Sequence, residues 1–537
     1  MLELRDATYA YPGEGSPAVR GASLCVAPGE RVALVGGNGS GKSTVACLAN
    51  GSLLAGPGAV SVDGHDPAAG AAERLEVARL CALVRQDPTD QLVSSSVRDE
   101  VAFGPCNLGL PRDEVERRVA RSLEACDLVR LEDRGVSELS GGEQQRLALA
   151  GALAMEPRYL VLDEVCSFLD TAGRLAVASI VSALAENGCG ILSVTHDLAD
   201  VMAATRVCLV EGGRIAWSGT PSALLSDDSL VRRAQLGGDP LARLMPALIR
   251  AGLDPASAAD VDDVLAFVHE TGRDAWLLEV LGTSSRTARV SGIPSLVLGD
   301  AHKRYGDVSA LRGMDVLAHD GEVTLLAGSA GSGKSTALRA LAGVLDLDSG
   351  RALLRGRPVR PGSVGLAFQH PEEQLFCDTV LDDVAFGPTN RGLGTARARG
   401  QAAEALRALG VAEGLWGRSP LALSGGQARR VALAGIVAMG ADAYVLDEPT
   451  AGLDGEGRAA LHALVARLAS DGAAVVVVSH DVDEWLDVAD TVVLASEGRS
   501  VWEGEAWRLA ADPAPFEAAG IEAPLGVRLR AGATGRR

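Results

Sequence analysis

The apolar positions of the chain come in two textures. Short unbroken runs read as buried strands: Val32–Val35, Leu160–Leu162 and Val475–Val478, the last of them four consecutive valines. Other stretches carry apolar residues at helical spacing, beginning with Ser43–Ala49, which follows a glycine-rich loop directly. Apolar strands alternating with helical patterns predict a mostly parallel sheet covered on its faces, an α/β fold. Within 222–295, LARLMPALIRAGL and VDDVLAFVHETG both show helical spacing with glycine near their ends, so this segment reads as folded helix and not as low-complexity linker. No run reaches about 18 uninterrupted apolar residues, and no helix is expected to cross a membrane by itself.

The pattern then repeats. GGNGSGKST at Gly36–Thr44 returns as GSAGSGKST at Gly328–Thr336, and VRQDPTDQLV around Gln86 as AFQHPEEQLF around Gln369. DEVAFGP returns as DDVAFGP, LSGGEQQR as LSGGQARR, YLVLDE as YVLDE, and SVTHD as VVSHD, always in the same order. The glycine loops lie 292 residues apart and the later pairs 283 or 284, which means two copies of one domain with a small indel after the first loop. GGDPLARL at Gly237–Leu244 is echoed by GIEAPLGVRL at Gly520–Leu529. The expected organisation is a first domain at 1–225, a helical appendix and linker at 226–295, a second domain at 296–505, and a short appendix and tail at 506–537.

Composition narrows the function. A chain of 537 residues has room for roughly three to four domains. With 47% apolar and 22% charged residues it can fill folded cores, although its mean hydropathy of +0.15 leans on alanine. The net charge of −20 argues against free nucleic acid or bare anionic lipid as the main partner. The start, MLELRDATYA, lacks the basic and apolar regions of a secretory signal. Nine cysteines without a C-x-x-C spacing form neither a disulfide framework nor a zinc pattern; they read as small buried hydrophobes in a reducing compartment. Lysine is the informative residue. There are three, Lys42, Lys303 and Lys334, and two of them sit in the same string, GSGKST, in a chain that otherwise uses arginine for positive charge.

G-x-x-x-x-G-K-[ST] is met at Gly36–Ser43 and Gly328–Ser335. Its glycines let successive N–H groups converge on a phosphate chain, and the helix that follows adds its positive end. Lys42 and Lys334 then reach the β/γ-phosphates, and Ser43 and Ser335 offer hydroxyls to Mg2+. Asp163 and Asp447, at the ends of strand-like runs, suit the same cation; Glu164 and Glu448 follow as candidate general bases. His196 and His480 end strand-like runs and can donate to a γ-phosphate. Alone, such a histidine reads as structural; its recurrence 284 residues on favours the phosphate-sensing role. Gln86 and Gln369 offer neutral amides to Mg2+ or water. Serine and two glycines at a helix start, Ser140–Gly142 and Ser424–Gly426, build a second anion-binding terminus per copy, which suggests that each faces the other copy's nucleotide.

With these strings in place the chain resembles two ATP-binding-cassette ATPase domains in tandem, over about 2–225 and 296–505. The resemblance implies a P-loop NTPase fold with a RecA-like core, a helical subdomain bearing the signature string, and an antiparallel β part. It implies ATP and Mg2+ as ligands, with ATP bound by Gly36, Asn38, Gly39, Gly41, Lys42, Ser43, Thr44, Gln86, Ser140, Gly141, Gly142 and Asp163. The second set is Gly328, Gly331, Gly333, Lys334, Ser335, Thr336, Gln369, Ser424, Gly425, Gly426 and Asp447. The metal would be held by Ser43, Gln86, Asp163, Ser335, Gln369 and Asp447. The family's adenine-stacking aromatic falls on Tyr11, with Tyr9 as the competing position, and on Tyr305.

A narrower resemblance follows from Q-x-P-x-x-Q-[LF] and D-[DE]-V-A-F-G-P. These look like the ATPases of energy-coupling factor (ECF) transporters, which import vitamins and transition-metal ions. LDEVCSFLD in copy one lacks the Pro-Thr of LDEPTAGLD in copy two, as the two ATPase subunits of that family differ, so the chain resembles their fusion. That implies head-to-tail pairing of the two domains within the chain. It also implies a transmembrane coupling subunit and a small membrane substrate-binding subunit as partners, no nucleic acid, and a peripheral place on the cytoplasmic face of the membrane. Arginine-bearing helices of the coupling subunit would meet Asp99, Glu100, Asp382 and Asp383, for which a merely solvated face is the competing reading. Phe168 and Ala428 also depart from the family's pattern, yet each copy keeps its Lys, Asp, Glu and His. The rival readings are a tandem ATPase acting on ribosomes and a tandem sugar-import ATPase.

Overall fold

The computed structural model describes all residues except 13–15, 167, 168, 170, 237–239, 255–260, 282–292, 330, 369, 370, 424, 451, 452, 454, 480, 511 and 535–537. The chain divides into two units, Met1–Ala259 and Asp260–Arg537. In the first, the strands Cys81–Val84, Tyr159–Asp163, Gly190–Val194, Arg31–Val35 and Arg206–Glu211 pair in that order, all parallel, and Arg214–Gly219 closes the edge antiparallel. Tyr159–Asp163 is buried at every position, as expected for a central strand covered on both faces. A separate antiparallel sheet joins Val19–Val26, Leu2–Tyr9 and Val60–Val62.

The second unit repeats the plan. Its six strands run in the order Gly365–Ala367, Ala443–Asp447, Ala474–Ser479, Val323–Gly328, Thr491–Ser496 and Arg499–Glu505, the last again antiparallel. The valine run lies inside Ala474–Ser479, fully buried. The antiparallel sheet here has four strands, Val308–Ala318, Leu296–Tyr305, Ser349–Leu354 and Arg357–Pro358. Each unit also packs a three-helix layer: Val97–Asn107, Arg112–Ala125 and Gly141–Ala154 in the first, Val380–Asn390, Thr395–Ala408 and Gly425–Ala438 in the second. Its core is built from Val101, Val119, Leu123 and Leu147 in one and Val384, Ala402, Leu406 and Val431 in the other.

The stretch 226–295 is shared between the units. The helices Asp228–Arg233 and Pro240–Arg250 pack in the first. Val261–Glu270 and Asp274–Leu281 belong to the second, where both pack on the C-terminal helix Leu525–Ala533. Arg530 Nη2 donates to the Leu281 carbonyl at 2.8 Å, and a Cβ on Gly532 would meet Leu265 Cδ1 at 2.4 Å.

Candidate functional site

Strand Arg31–Val35 ends in the glycine loop, and helix Lys42–Ala49 begins at its far side. Gly41 caps that helix at φ 105°, and a Cβ there would lie 2.7 Å from the Ala18 carbonyl; Gly333, at φ 95° and 2.5 Å from the Ala310 carbonyl, repeats the constraint. Only glycine combines that dihedral with that approach. Lys42 Nζ donates to the carbonyls of Gly36 (2.7 Å) and Gly37 (3.0 Å), and Lys334 Nζ to those of Gly328 and Ser329 (both 2.8 Å). The loop thus curls around its own lysine in both units. The third lysine does something else: Lys303 lies 5.9 Å from the centre of the Tyr305 ring and donates to the Asp346 carbonyl.

The carboxylates stand at the ends of the neighbouring strands. Ser43 Oγ donates to Asp163 Oδ1 at 3.1 Å, and Ser335 bonds Asp447 in the same way. Both aspartates are buried. Burial, and then the adjacent glutamate, pushes each carboxyl up to about 6. Glu164 and Glu448 turn out of their strands in the left-handed region, at φ 49° and 44°. Glu164 accepts from Gln86 Nε2 on Oε2 at 3.0 Å, and His196 Nε2 lies 3.1 Å from Oε1. Gln86 therefore meets the candidate base, and not Ser43 and Asp163 with which the metal reading grouped it. Glu448 accepts from Ser479 Oγ at 3.2 Å, and its carbonyl accepts from Arg429 Nη2 at 2.8 Å. Gln369, Ser424 and His480 lie outside the described residues.

Tyr11 donates to or accepts from Thr44 Oγ1 at 3.1 Å and meets Tyr9 edge-on at 5.1 Å, so the two competing tyrosines form one aromatic patch. Tyr11 and Tyr305 keep exposed rings. Ser140 caps Gly141–Ala154 in a capping box with Glu143. Added Cβ atoms at Gly141, Gly425 and Gly426 would meet nothing within 4 Å, so no neighbour within the described residues requires glycine there.

The acids after the glutamine segments differ from expectation. Glu100 is buried and accepts from the N–H groups of Val93 (2.9 Å) and Ser94 (2.6 Å); Asp383 does the same for Phe376 (2.8 Å) and Cys377 (2.7 Å). Asp99 accepts from Ser96 Oγ, and Asp382 from Thr379 Oγ1 while pairing with Arg399. Glu100 and Asp383 are thus occupied in shaping a loop and do not stand ready for an external arginine. What the surface presents here instead is apolar: Val93 and Phe376 on the two loops, and Phe103 and Phe386 on the helices that follow them, are exposed, and Phe376 meets Phe386 edge-on at 4.8 Å.

The sequence reading also missed a difference between the copies beyond the second acid. Thr450 Oγ1 donates to Glu484 Oε2 at 2.7 Å, while Arg458 and His462 approach Oε1 at 3.7 and 3.4 Å. Copy one has Cys166 and Asp200 at these places, and Asp200 accepts from Thr195 at 3.0 Å instead. Aligning the two copies position by position exposes such pairs. Among the described residues no cluster of three His, Cys, Asp or Glu side chains forms a metal cage, and no helix is long and apolar enough to cross a membrane.

The family model described as ABC transporter matches residues 19–167 and 311–451, together more than half of the chain. An ABC transporter ATP-binding protein of Bifidobacterium longum is 37% identical over 526 residues, covering 91% of this chain; the chain spans 64% of that relative's length. The energy-coupling factor transporter ATP-binding protein EcfA of Methanothermobacter thermautotrophicus is 41% identical over 283 residues, covering 52% of this chain and 88% of its own length. Among solved structures, a model of ribosome-bound archaeal Pelota and ABCE1 aligns with 93% of this chain and 79% of its own at TM-score 0.63 and 22% identity, a likeness of fold.

Proposed function

The chain belongs to the ABC transporter ATPase family, and from that premise we propose that it is the energy-coupling component of an ECF-type importer, driving a transmembrane partner from the cytoplasmic face of the membrane. The 41% identity to EcfA across half of the chain carries this reading. The exposed apolar loop that Glu100 and Asp383 shape in each copy supports it, because such a surface suits a membrane subunit better than a polar RNA.

Each phosphate loop binds ATP. The carbonyl-held lysine is already aimed into the loop and exchanges those carbonyls for phosphate oxygens. Ser43 with Asp163, and Ser335 with Asp447, fit Mg2+ by donor chemistry: a hydroxyl beside a buried carboxylate whose ionised form burial and the adjacent glutamate disfavour. When bound, the cation neutralises phosphate charge. Glu164, oriented by Gln86 and His196, accepts the proton of the attacking water, and Glu448 does so in the second copy. The open space around Gly141, Gly425 and Gly426 suits the approach of a second nucleotide to the helix starts. Site one is then closed by Ser424–Gly426 and site two by Ser140–Gly142, so the γ-phosphate holds the halves together and its loss lets them part.

The test pairs two measurements. Glu164→Gln with Glu448→Gln should lower hydrolysis at least about 100-fold while ATP binding persists. The chain purified from membranes should bring a small hydrophobic subunit with it. Sedimentation with ribosomes and no membrane subunit would replace the transport reading with the ribosomal one.

A further inference from the structure

Among the described residues ten other than glycine have positive φ, and Gln235 is one of them, at φ 60°. It follows helix Asp228–Arg233, and the N–H of Leu236 reaches back to the Val231 carbonyl at 3.2 Å, the bond that closes a left-handed helix end. Copy two makes the same end after helix Ala514–Ala518. There Ile521 N–H reaches the Phe516 carbonyl at 2.9 Å, and the left-handed residue is Gly520, at φ 67°. Glycine is the residue that this position favours, and copy two has it. A Cβ at Gly520 would meet nothing within 4 Å, so the glycine answers the dihedral and not crowding. Copy one accepts a strained backbone to place a side chain.

That side chain ends at the phosphate loop. A Cβ built on Gly37 would lie 3.2 Å from Gln235 Nε2 and 3.6 Å from its Cδ. The Gly37 carbonyl is one of the two that hold Lys42. In copy two the equivalent carbonyl, accepting from Lys334, belongs to Ser329, a residue with a side chain of its own. The two differences are complementary. Where the loop has glycine the appendix supplies glutamine, and where the loop has serine the appendix supplies glycine.

We propose that Gln235 is a positioning residue for the phosphate loop of copy one, bracing Gly37 and so the lysine that meets ATP, and that copy two lacks this brace. The inference rests on the reading of these loops as ATP sites. It links the helical appendix of copy one to nucleotide occupancy and makes the two sites unequal.

The full-length chain carrying Lys334→Ala leaves copy one as the site to read, with MgATP affinity measured by titration calorimetry. Gln235→Gly, copy two's residue, should raise Tm by about 2 °C through relief of the left-handed backbone and weaken MgATP binding about fivefold, the scale of one contact. Gln235→Asn, which tolerates the dihedral but is one carbon shorter, should weaken binding as well. Gly37→Ser should weaken it too, and adding Gln235→Gly to Gly37→Ser should recover part of the loss, because the pair recreates copy two. Unchanged affinity in Gln235→Gly overturns the proposal, and so does a lowered Tm, which would make Gln235 a structural cap. If the Lys334→Ala parent binds no MgATP, the loop's reading as an ATP site fails first and takes the brace with it.

Discussion

Glu164 and Glu448 show how much chemistry a single dihedral can carry. A non-glycine residue in the left-handed region costs about 1–3 kcal/mol, and such strain collects at functional sites. Here it recurs at the same place in both copies, turning the glutamate away from the strand while the preceding aspartate stays buried. The price of that arrangement falls on Asp163 and Asp447, whose carboxyls are pushed up to about 6 by burial and by the neighbouring glutamate. Between the ordinary carboxylate value of about 4 and pH 6, the folded chain keeps protons that the unfolded chain has released. Their contribution to stability therefore declines as pH rises through that window and is least favourable above it. Asp163→Asn and Asp447→Asn should flatten that part of the Tm-against-pH curve of the nucleotide-free chain. Mg2+ needs the ionised form, so MgATP affinity in the unmodified chain should rise between pH 5 and 7. A slope unchanged by both substitutions would show that these carboxyls ionise normally.

At the scale of elements, the phosphate loops, the signature helices and the parallel strands were all legible in the chain, because each is dictated by residues close in sequence. A glycine loop between an apolar run and a helical stretch has few ways to fold. What the chain concealed depends on partners far along it. Glu100 and Asp383 read as surface acids until the loop seven residues before them is seen folded onto their carboxylates. Gln235 is an ordinary polar residue until it stands beside Gly37, and the segment 226–295 reads as one appendix although its helices divide between two units. Glu484 belongs to the same class. Burial works to raise its carboxyl, but His462, Arg458 and Thr450 hold it below the usual range; Asp200, in copy one, is pushed upward by burial and by Asp197. The two acids should respond oppositely to loss of charge. Glu484→Gln takes the carboxylate charge away from the half-buried Arg458 and His462 and should cost about 2 kcal/mol. Asp200→Asn removes a charge that its surroundings disfavour and should be neutral or slightly stabilising near pH 7. Denaturant unfolding of each variant decides it, and equal losses would mean that the two copies treat this acid alike.

At the scale of the whole molecule, duplication within one chain changes the physics of pairing. If each ATP is closed by the other copy's signature helix, separate domains would have to meet by diffusion, whereas tethered ones face each other at an effective concentration on the order of millimolar. Part of the tether is folded. Its helices Val261–Glu270 and Asp274–Leu281 pack on the C-terminal helix Leu525–Ala533, with Leu265 against Gly532 and Arg530 bonded to the Leu281 carbonyl. A segment that continues from copy one is thereby built into the body of copy two. Hydrolysis per chain should then stay constant from micromolar to nanomolar protein. A Lys42→Ala chain mixed with a Lys334→Ala chain should give only the mean of their separate rates, since neither can borrow the other's intact half. Activity that falls on dilution, or that recovers on mixing, would mean that the sites form between chains and that the duplication serves some other end.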